Sequence, residues 1–354
     1  LLDSNAVSSE YPDSKMTKAE FSSLLFRIIM PEQVDLTIDN SVFLDVPPEH
    51  YASGAITGLY GLGCISVPSD ALFYPENYIR TSEAVKMVVC LLGYGQLAAA
   101  NGGYPYGYLS EAASLGILKN VRMSEYITRS DAIIMLSAAV STDMYQVVSI
   151  DGDNSFTYKK NKGENILSKY HNIYKLKGVV DANYFTRLYS PVGTLKDEIE
   201  IEGVRVRIRT FADNNYLGYT VEGYYKEYDD EEHKELLYIK ELNNTSLEIA
   251  AEDIIGFENN VLKYHSEGGN KKETLLSSVS IIYNEKYVGS IDEVDVLGSN
   301  ITLLDNNRDG IYDVLIVSKP EDFIVRASDE NNLLIFNDIA PYNTVKIDDK
   351  SVIV

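Results

Sequence analysis

The first 145 residues repeat themselves, and a repeat constrains a fold strongly, because similar units must build similar structures and bury their faces on one another. From Phe43 to Tyr94 the chain reads as two helical patterns joined by a polar loop. Asp45 before Pro47 and Pro48 marks a helix start, after which Ala55, Ile56, Leu59 and Leu62 supply one apolar face. A second helix carries Ala84, Val85, Val88, Val89, Leu91 and Leu92. Gly102 to Val140 repeats the layout, with Tyr108, Leu109, Ala112, Ala113 and Leu115 and then ITRSDAIIMLSAAV. Gly63-Cys64-Ile65 answers to Gly116-Ile117-Leu118, and the opening thirty residues read as the back half of a further copy. The units are expected at approximately 1–40, 41–95 and 96–145, the first truncated.

Each second helix carries its own start signal. Thr17-Lys18-Ala19-Glu20 has capping-box spacing, in which a threonine hydroxyl caps helix amides and a glutamate three residues on reaches back. Thr128-Arg129-Ser130-Asp131 keeps the geometry with a shorter acid, whereas Arg80-Thr81-Ser82-Glu83 lacks the threonine and must cap differently.

From about Asn172 the pattern changes to alternating β-branched and aromatic runs broken by Gly, Asn and Asp, as in IEIEGVRVRIR and VSIIYNEKYV. These predict antiparallel strands with tight turns. The expected class is multidomain α+β: an all-α module over 1–145, a polar linker over 146–171, a β-rich sheet or sandwich domain over 172–326, and the start of a further β-rich segment over 327–354. The ending DKSVIV stops on an apolar strand, which suggests part of a longer protein.

A formal charge of −22 excludes a protein built chiefly to grip phosphate backbones, so nucleic acid is not an expected partner. Binding to an anionic wall or membrane would need a few focused cations. The sequence holds no apolar run long enough for a transmembrane helix. Cys64 and Cys90 sit in apolar surroundings that suit buried thiols, and a disulfide between them stays open.

Asp305, Asn307, Asp309 and Asp313 place oxygen side chains at positions 1, 3, 5 and 9 of a loop with Gly310 at position 6, the opening of a calcium loop. Position 12 is Ile316 rather than a bidentate glutamate, and a plain β-turn asks for the same residues. Calcium and a turn both remain open. The acidic run Tyr228 to Glu235 reads as a solvated hairpin tip, and His50, His171, His233 and His265 show no paired spacing for zinc. No nucleophile elbow, zinc-protease helix or phosphate loop is present.

The repeats resemble the S-layer homology family, whose units run as F-x-D-V, an aromatic and Ala-x-x-Ala-Ile helix, Gly-Ile, a loop ending F-x-P, then I-T-R-A-E. Phe43, Asp45, Val46, Tyr51, Ala52, Ala55, Ile56, Gly63, Ile65, Phe73, Pro75, Ile79 and Glu83 match in the middle unit, Ile127, Thr128 and Arg129 in the third, and Thr17 to Phe21 in the first. The stretch GGYPYGYLSEAASLGIL, with a later LLDNNRDGIYDVLIV, also resembles large clostridial S-layer-type proteins that follow such repeats with β-rich modules. The resemblance implies an extracellular protein whose three-pronged helical pseudo-trimer binds secondary cell-wall polysaccharide, often pyruvylated, in grooves between the prongs. The motif cation that would face the sugar acid is Lys18 in the first unit and Arg129 in the third. The middle unit has Thr81 at that place, with Arg80 adjacent but leaving the helix in another direction. Tyr51 and Tyr104 stand where the family often has tryptophan, which this chain lacks. A structural surface-layer protein that self-associates into a lattice or filament is the expected role, not an enzyme; a wall-anchored polysaccharide-active enzyme and a ligand-binding surface module are the alternatives.

Overall fold

The computed structural model describes residues 12–30, 41–150, 156–160, 162–209, 216–228, 234–275, 277–320, 327–329, 334–336 and 344–346. Residues 1–11, which hold the start of the first repeat, and 229–233, most of the acidic run with His233, lie outside the described residues. The chain divides into two compact units, one of residues 1–175 with 224–233 and one of 176–223 with 234–354.

Six helices build most of the first unit: α1 (Lys18–Ile29), α2 (Ser53–Gly61), α3 (Thr81–Leu91), α4 (Gly95–Ala100), α5 (Tyr106–Ser114) and α6 (Arg129–Ala139). Helix α2 packs on α1, and α5 on α3, so the second helix of one repeat pairs with the first helix of the next. Close approach requires the small residues there: a Cβ at Gly58 would fall 2.3 Å from the Phe26 ring. The predicted apolar faces form one core, with Ala55, Ile56, Leu59, Ala84, Val85, Val88, Val89, Leu92 and Ala112 all buried. Leu62 does not join it. It is 46% exposed because it is the C-cap of α2, where the chain turns away.

The two first helices end identically. In α2 the Gly63 and Cys64 amides donate to Tyr60 and Leu59 carbonyls, and in α5 Gly116 and Ile117 donate to Ala113 and Ala112. Gly63 and Gly116 take φ of 72° and 75°, the left-handed conformation that such a stop needs and that glycine adopts without strain.

Within 146–171, read from composition as a linker, the described residues carry structure. Strand β1 (Tyr145–Ile150) pairs antiparallel with β2 (Phe156–Lys160), and α7 (Ile166–His171) buries Ile166 in the helical core. A few apolar groups suffice to anchor this polar stretch: Tyr145 stacks on Tyr94 at 4.9 Å, and the His171 imidazole lies against the Ile28 carbonyl.

From residue 173 on, the described chain is mostly strands. β3 (Ile173–Ala182), β4 (Glu198–Ile201), β5 (Val204–Arg207), β7 (Lys234–Glu241) and β6 (Thr220–Glu227) close, in that order, into a barrel. β8 (Thr245–Ile249) leads to a three-stranded sheet of β9 (Ile254–Glu258), β10 (Val261–Ser266) and β11 (Gly269–Thr274). β12 (Ser280–Tyr283), β13 (Lys286–Val288), β14 (Asn300–Asp305) and β15 (Val314–Ser318) join β8 in a five-stranded sheet ordered β13-β12-β15-β14-β8. β16 (Ala327–Asp329), β17 (Leu334–Phe336) and β18 (Thr344–Lys346) form a further antiparallel sheet. Positive φ at Glu202-Gly203, Asn259-Asn260 and Asn284-Glu285 gives three hairpins the turn that matches strand twist. Pairing is mostly antiparallel as expected, but β12 runs parallel to β15, and β5 to β7.

Candidate functional site

The starts of α1, α3 and α6 meet in a closed ring. The Met16 amide donates to Ile127 O at 3.1 Å, Ile79 to Met16 O at 3.0 Å, and Ile127 to Ile79 O at 3.3 Å. These three side chains occupy equivalent positions in the repeats and are all buried. One residue before each stand Lys15, Tyr78 and Tyr126, with the Lys15 ammonium 5.4 and 4.7 Å from the two ring centres. Two residues after them come the motif positions. Here the Lys18 amide donates to Asn77 O, Thr81 to Glu125 O and Arg129 to Ser14 O. The ring is a pseudo-threefold joint between units, and it sets the three junctions at which the predicted residues lie.

The joint consumes the helix-start amides. Lys18 and Ala19 donate to Asn77 and Pro75 carbonyls, and Glu20 N to Thr17 Oγ1 at 3.1 Å in a full capping box with Glu20 Oε2 2.8 Å from Thr17 N. Arg129 and Ser130 donate to Ser14 and Pro12 carbonyls. These helix starts therefore leave few amides free for an anion, and charge at the junctions comes from side chains.

At the junction of the first and second units, Lys18 Nζ lies 3.1 Å from Glu83 Oε1, the acid at the equivalent place one unit on. A cleft of about 330 Å³ opens beside this pair, lined by Lys18, Phe73, Glu83, Lys86, Met87 and Tyr104 among others. Tyr104 is 50% exposed, and its hydroxyl is 2.9 Å from Ser82 Oγ. Lys86 Nζ donates to Ser66 Oγ at 3.3 Å and lies 5.9 Å from the Tyr104 ring centre.

The junction of the third and first units repeats the cation and acid: the Arg129 guanidinium pairs with Glu20, and its Nε donates to Ser14 Oγ at 3.0 Å. Tyr51 stands at this place, 59% exposed and stacked on His50 at 4.7 Å. Burial raises its hydroxyl above the ordinary value, and the negative charges of Glu76 and Glu20 act in the same direction against a hydrogen bond with Thr17.

The remaining junction has no motif cation. Thr81 Oγ1 donates to Ser124 O at 2.6 Å, and Arg80 reaches Glu125 at 3.6 Å on the surface. Asp131, the acid a cation at Thr81 would have met, is taken instead by Arg122, which also holds Asp13 at 2.7 Å. Burial works to raise the Asp131 carboxyl, but hydrogen bonds from Thr128 and Arg122 outweigh it and leave the pKa lowered. The structure thus groups Lys18 with Tyr104 and Arg129 with Tyr51, and sets Arg80 apart. Sequence reading missed Lys86 and Arg122, which lie outside the motif.

In the second unit the Asp305 carboxylate accepts from Arg308 N at 2.6 Å and Gly310 N at 2.9 Å. Asn307 accepts from Asp309 N, Asp309 from Ile311 N, and Asp313 from Asn306 N. All four candidate calcium ligands therefore cap their own loop's backbone, as a turn requires. Burial, first among its causes, raises the Asp313 carboxyl. Among the described residues, no group of three or more His, Cys, Asp and Glu side chains is arranged to hold a metal ion. Cys64 and Cys90 are free thiols, Cys64 pushed up to about 12 by burial. No helix among the described residues is long and apolar enough to cross a membrane.

Residues 42–84 match the S-layer homology domain family. A cell surface protein of Thermoanaerobacter kivui is 24% identical over 335 residues, which is 92% of this chain and 39% of that protein. The middle cell wall protein of Brevibacillus brevis is 29% identical over 160 residues, 45% of this chain and 15% of that protein. A surface layer protein of Brevibacillus choshinensis is 30% identical over 110 residues, 31% of this chain and 10% of that protein. The chain spans well under half the length of each of these relatives. Residues 42–84, the middle of the capped repeats, thus resemble an S-layer homology domain, and the chain is similar to bacterial cell surface and surface layer proteins.

Proposed function

We propose that the helical unit anchors the chain non-covalently to secondary cell-wall polysaccharide, which enters the clefts at its unit junctions. The observation that carries this reading is the cleft of about 330 Å³ beside Lys18, because it joins a motif cation to an aromatic face, Tyr104, that can lie under a sugar ring. Arg129 with Tyr51 offers a second junction of the same composition. A polymer carrying sugar acids, such as a pyruvylated one, suits both. The β-rich unit has a structural role in this reading, in keeping with relatives named as cell surface and surface layer proteins, and the protein works by holding and assembling rather than by catalysis. Self-association into a lattice or filament would appear as ordered arrays of the chain in electron micrographs.

Co-sedimentation of the full chain with purified cell walls tests the anchor. Lys18→Ala and Arg129→Ala are each expected to weaken binding roughly ten- to a hundredfold, as loss of one charge-assisted contact does. Arg80→Ala, whose guanidinium faces Glu125, should leave binding unchanged. Equal losses for Arg80→Ala and Arg129→Ala would sink the junction assignment.

A further inference from the structure

The charges at the three junctions are nearly all spoken for within the protein. Lys18 is met by Glu83, Arg129 by Glu20, Arg80 by Glu125, and Arg122 by Asp13 and Asp131. An acidic ligand approaching any of these must displace a carboxylate already in place. Lys86 differs. Its ammonium donates to the Ser66 hydroxyl and lies over the Tyr104 face, and among the described residues it forms no ion pair. It is half-buried on α3, within the cleft that also holds Lys18 and Tyr104.

We propose that Lys86 decides the ligand class of this cleft, by giving it an uncommitted cation that pairs with an acidic group on the wall sugar, a carboxylate or a phosphate. This rests on the reading that the cleft takes wall polysaccharide. The local charges support it: Lys18 and Glu83 cancel, and Lys86 leaves the cleft net positive in a chain of formal charge −22. A half-buried lysine in a cleft also lined by Ile65, Phe73 and Met87 has lost part of its water, so an incoming anion supplies a partner at little further desolvation. The Tyr104 ring beside it offers the sugar a stacking surface, while Ser66 holds the ammonium in place. Nothing in the repeat itself requires this residue: the equivalent positions are Ser23 in the first unit and Ile134 in the third. The junctions are therefore unequal, and the one beside α3 carries a cation that the repeat does not supply elsewhere.

The test compares native purified walls with walls stripped of acidic groups, using mild acid for ketal-linked carboxylates in one arm and hydrofluoric acid for phosphates in another. The wild-type chain should bind native walls about tenfold more tightly than walls lacking the group that is recognised. Lys86→Gln should reduce that preference several-fold with the fold intact by circular dichroism; Lys86→Arg should retain it. Full preference in Lys86→Gln overturns the proposal and leaves the anchoring reading standing. A wild-type chain that binds no wall preparation fails the anchoring reading, and this inference with it.

Discussion

Glu200 on β4 is held by two arginines. Arg187 grips it with both guanidinium nitrogens, at 2.6 and 2.8 Å, and Arg205, opposite it on β5, adds a contact at 3.0 Å. The hydrogen bonds from Arg187, opposed by burial and aided by Arg205, lower its carboxyl from 4.5 to about 2. A carboxyl depressed on folding stabilises fully above its unfolded pKa, and the contribution is lost as pH falls through the folded one. Its window is therefore 4.5 down to about 2. Glu200→Gln is expected to destabilise the second unit by about 1.5–3 kcal/mol at pH 7, the range for hydrogen bonds to a charged group. Thermal melts by circular dichroism should show the gap between variant and wild type closing across that window. A gap independent of pH would assign the effect to shape rather than charge. The same logic separates the motif cations from Lys86: an ion pair within the protein contributes to the fold, and it also competes with any ligand for the same charge.

At the level of elements, the three helix starts show how far a short pattern carries. The capping box at Thr17 and Glu20 and the glycines at 63 and 116 are local devices whose residues lie within five positions of their partners, so spacing alone reveals them. The ring joining Met16, Ile79 and Ile127 spans more than a hundred residues and leaves no local mark, although the alignment of repeats places its members correctly. Lys86 and Arg122 were not legible for a related reason: their roles depend on which loop or acid the joint sets beside them. The parallel pairing of β12 with β15 was equally hidden, since alternation reports a strand's faces but not its neighbour. The polar run at 146–171 misled because composition outweighed Tyr145 and Ile166, the few residues that dock it. The middle helix offers a direct check on capping. Arg80 occupies its N-cap with extended backbone and contributes no side-chain cap, although Glu83 already accepts from Arg80 N at 3.0 Å. Arg80→Thr would complete the box for a gain of about 1 kcal/mol and remove an exposed ion pair to Glu125 worth about 0.5 kcal/mol. A small rise in the melting temperature is expected, and a fall would show that the arginine does more than cap poorly.

For the molecule as a whole, the charge of −22 must be reconciled with the proposed attachment to an acidic polymer. Two electrostatic terms act at different ranges. Diffuse repulsion between the acidic chain and an acidic wall extends over the Debye length, about 30 Å at 0.01 M salt and about 8 Å at 0.15 M. The proposed contacts act within a few ångströms, those at Lys18 and Lys86 in a cleft whose walls are partly apolar and that at Arg129 beside Glu20, and salt weakens them less. Raising salt from 0.01 to 0.15 M should therefore strengthen wall binding, because it removes more repulsion than attraction. Further addition toward 1 M, where the Debye length is about 3 Å, should then weaken it as the contacts themselves are screened. A protein that attached through a broad basic surface would lose affinity steadily over the whole range. Co-sedimentation of the wild-type chain with native walls at several salt concentrations distinguishes the two, and a monotonic loss from 0.01 M would rule out attachment through a few focused cations. In Lys86→Gln the low-salt rise should persist, since repulsion belongs to the whole chain, while the high-salt fall should become shallower by the loss of one contact.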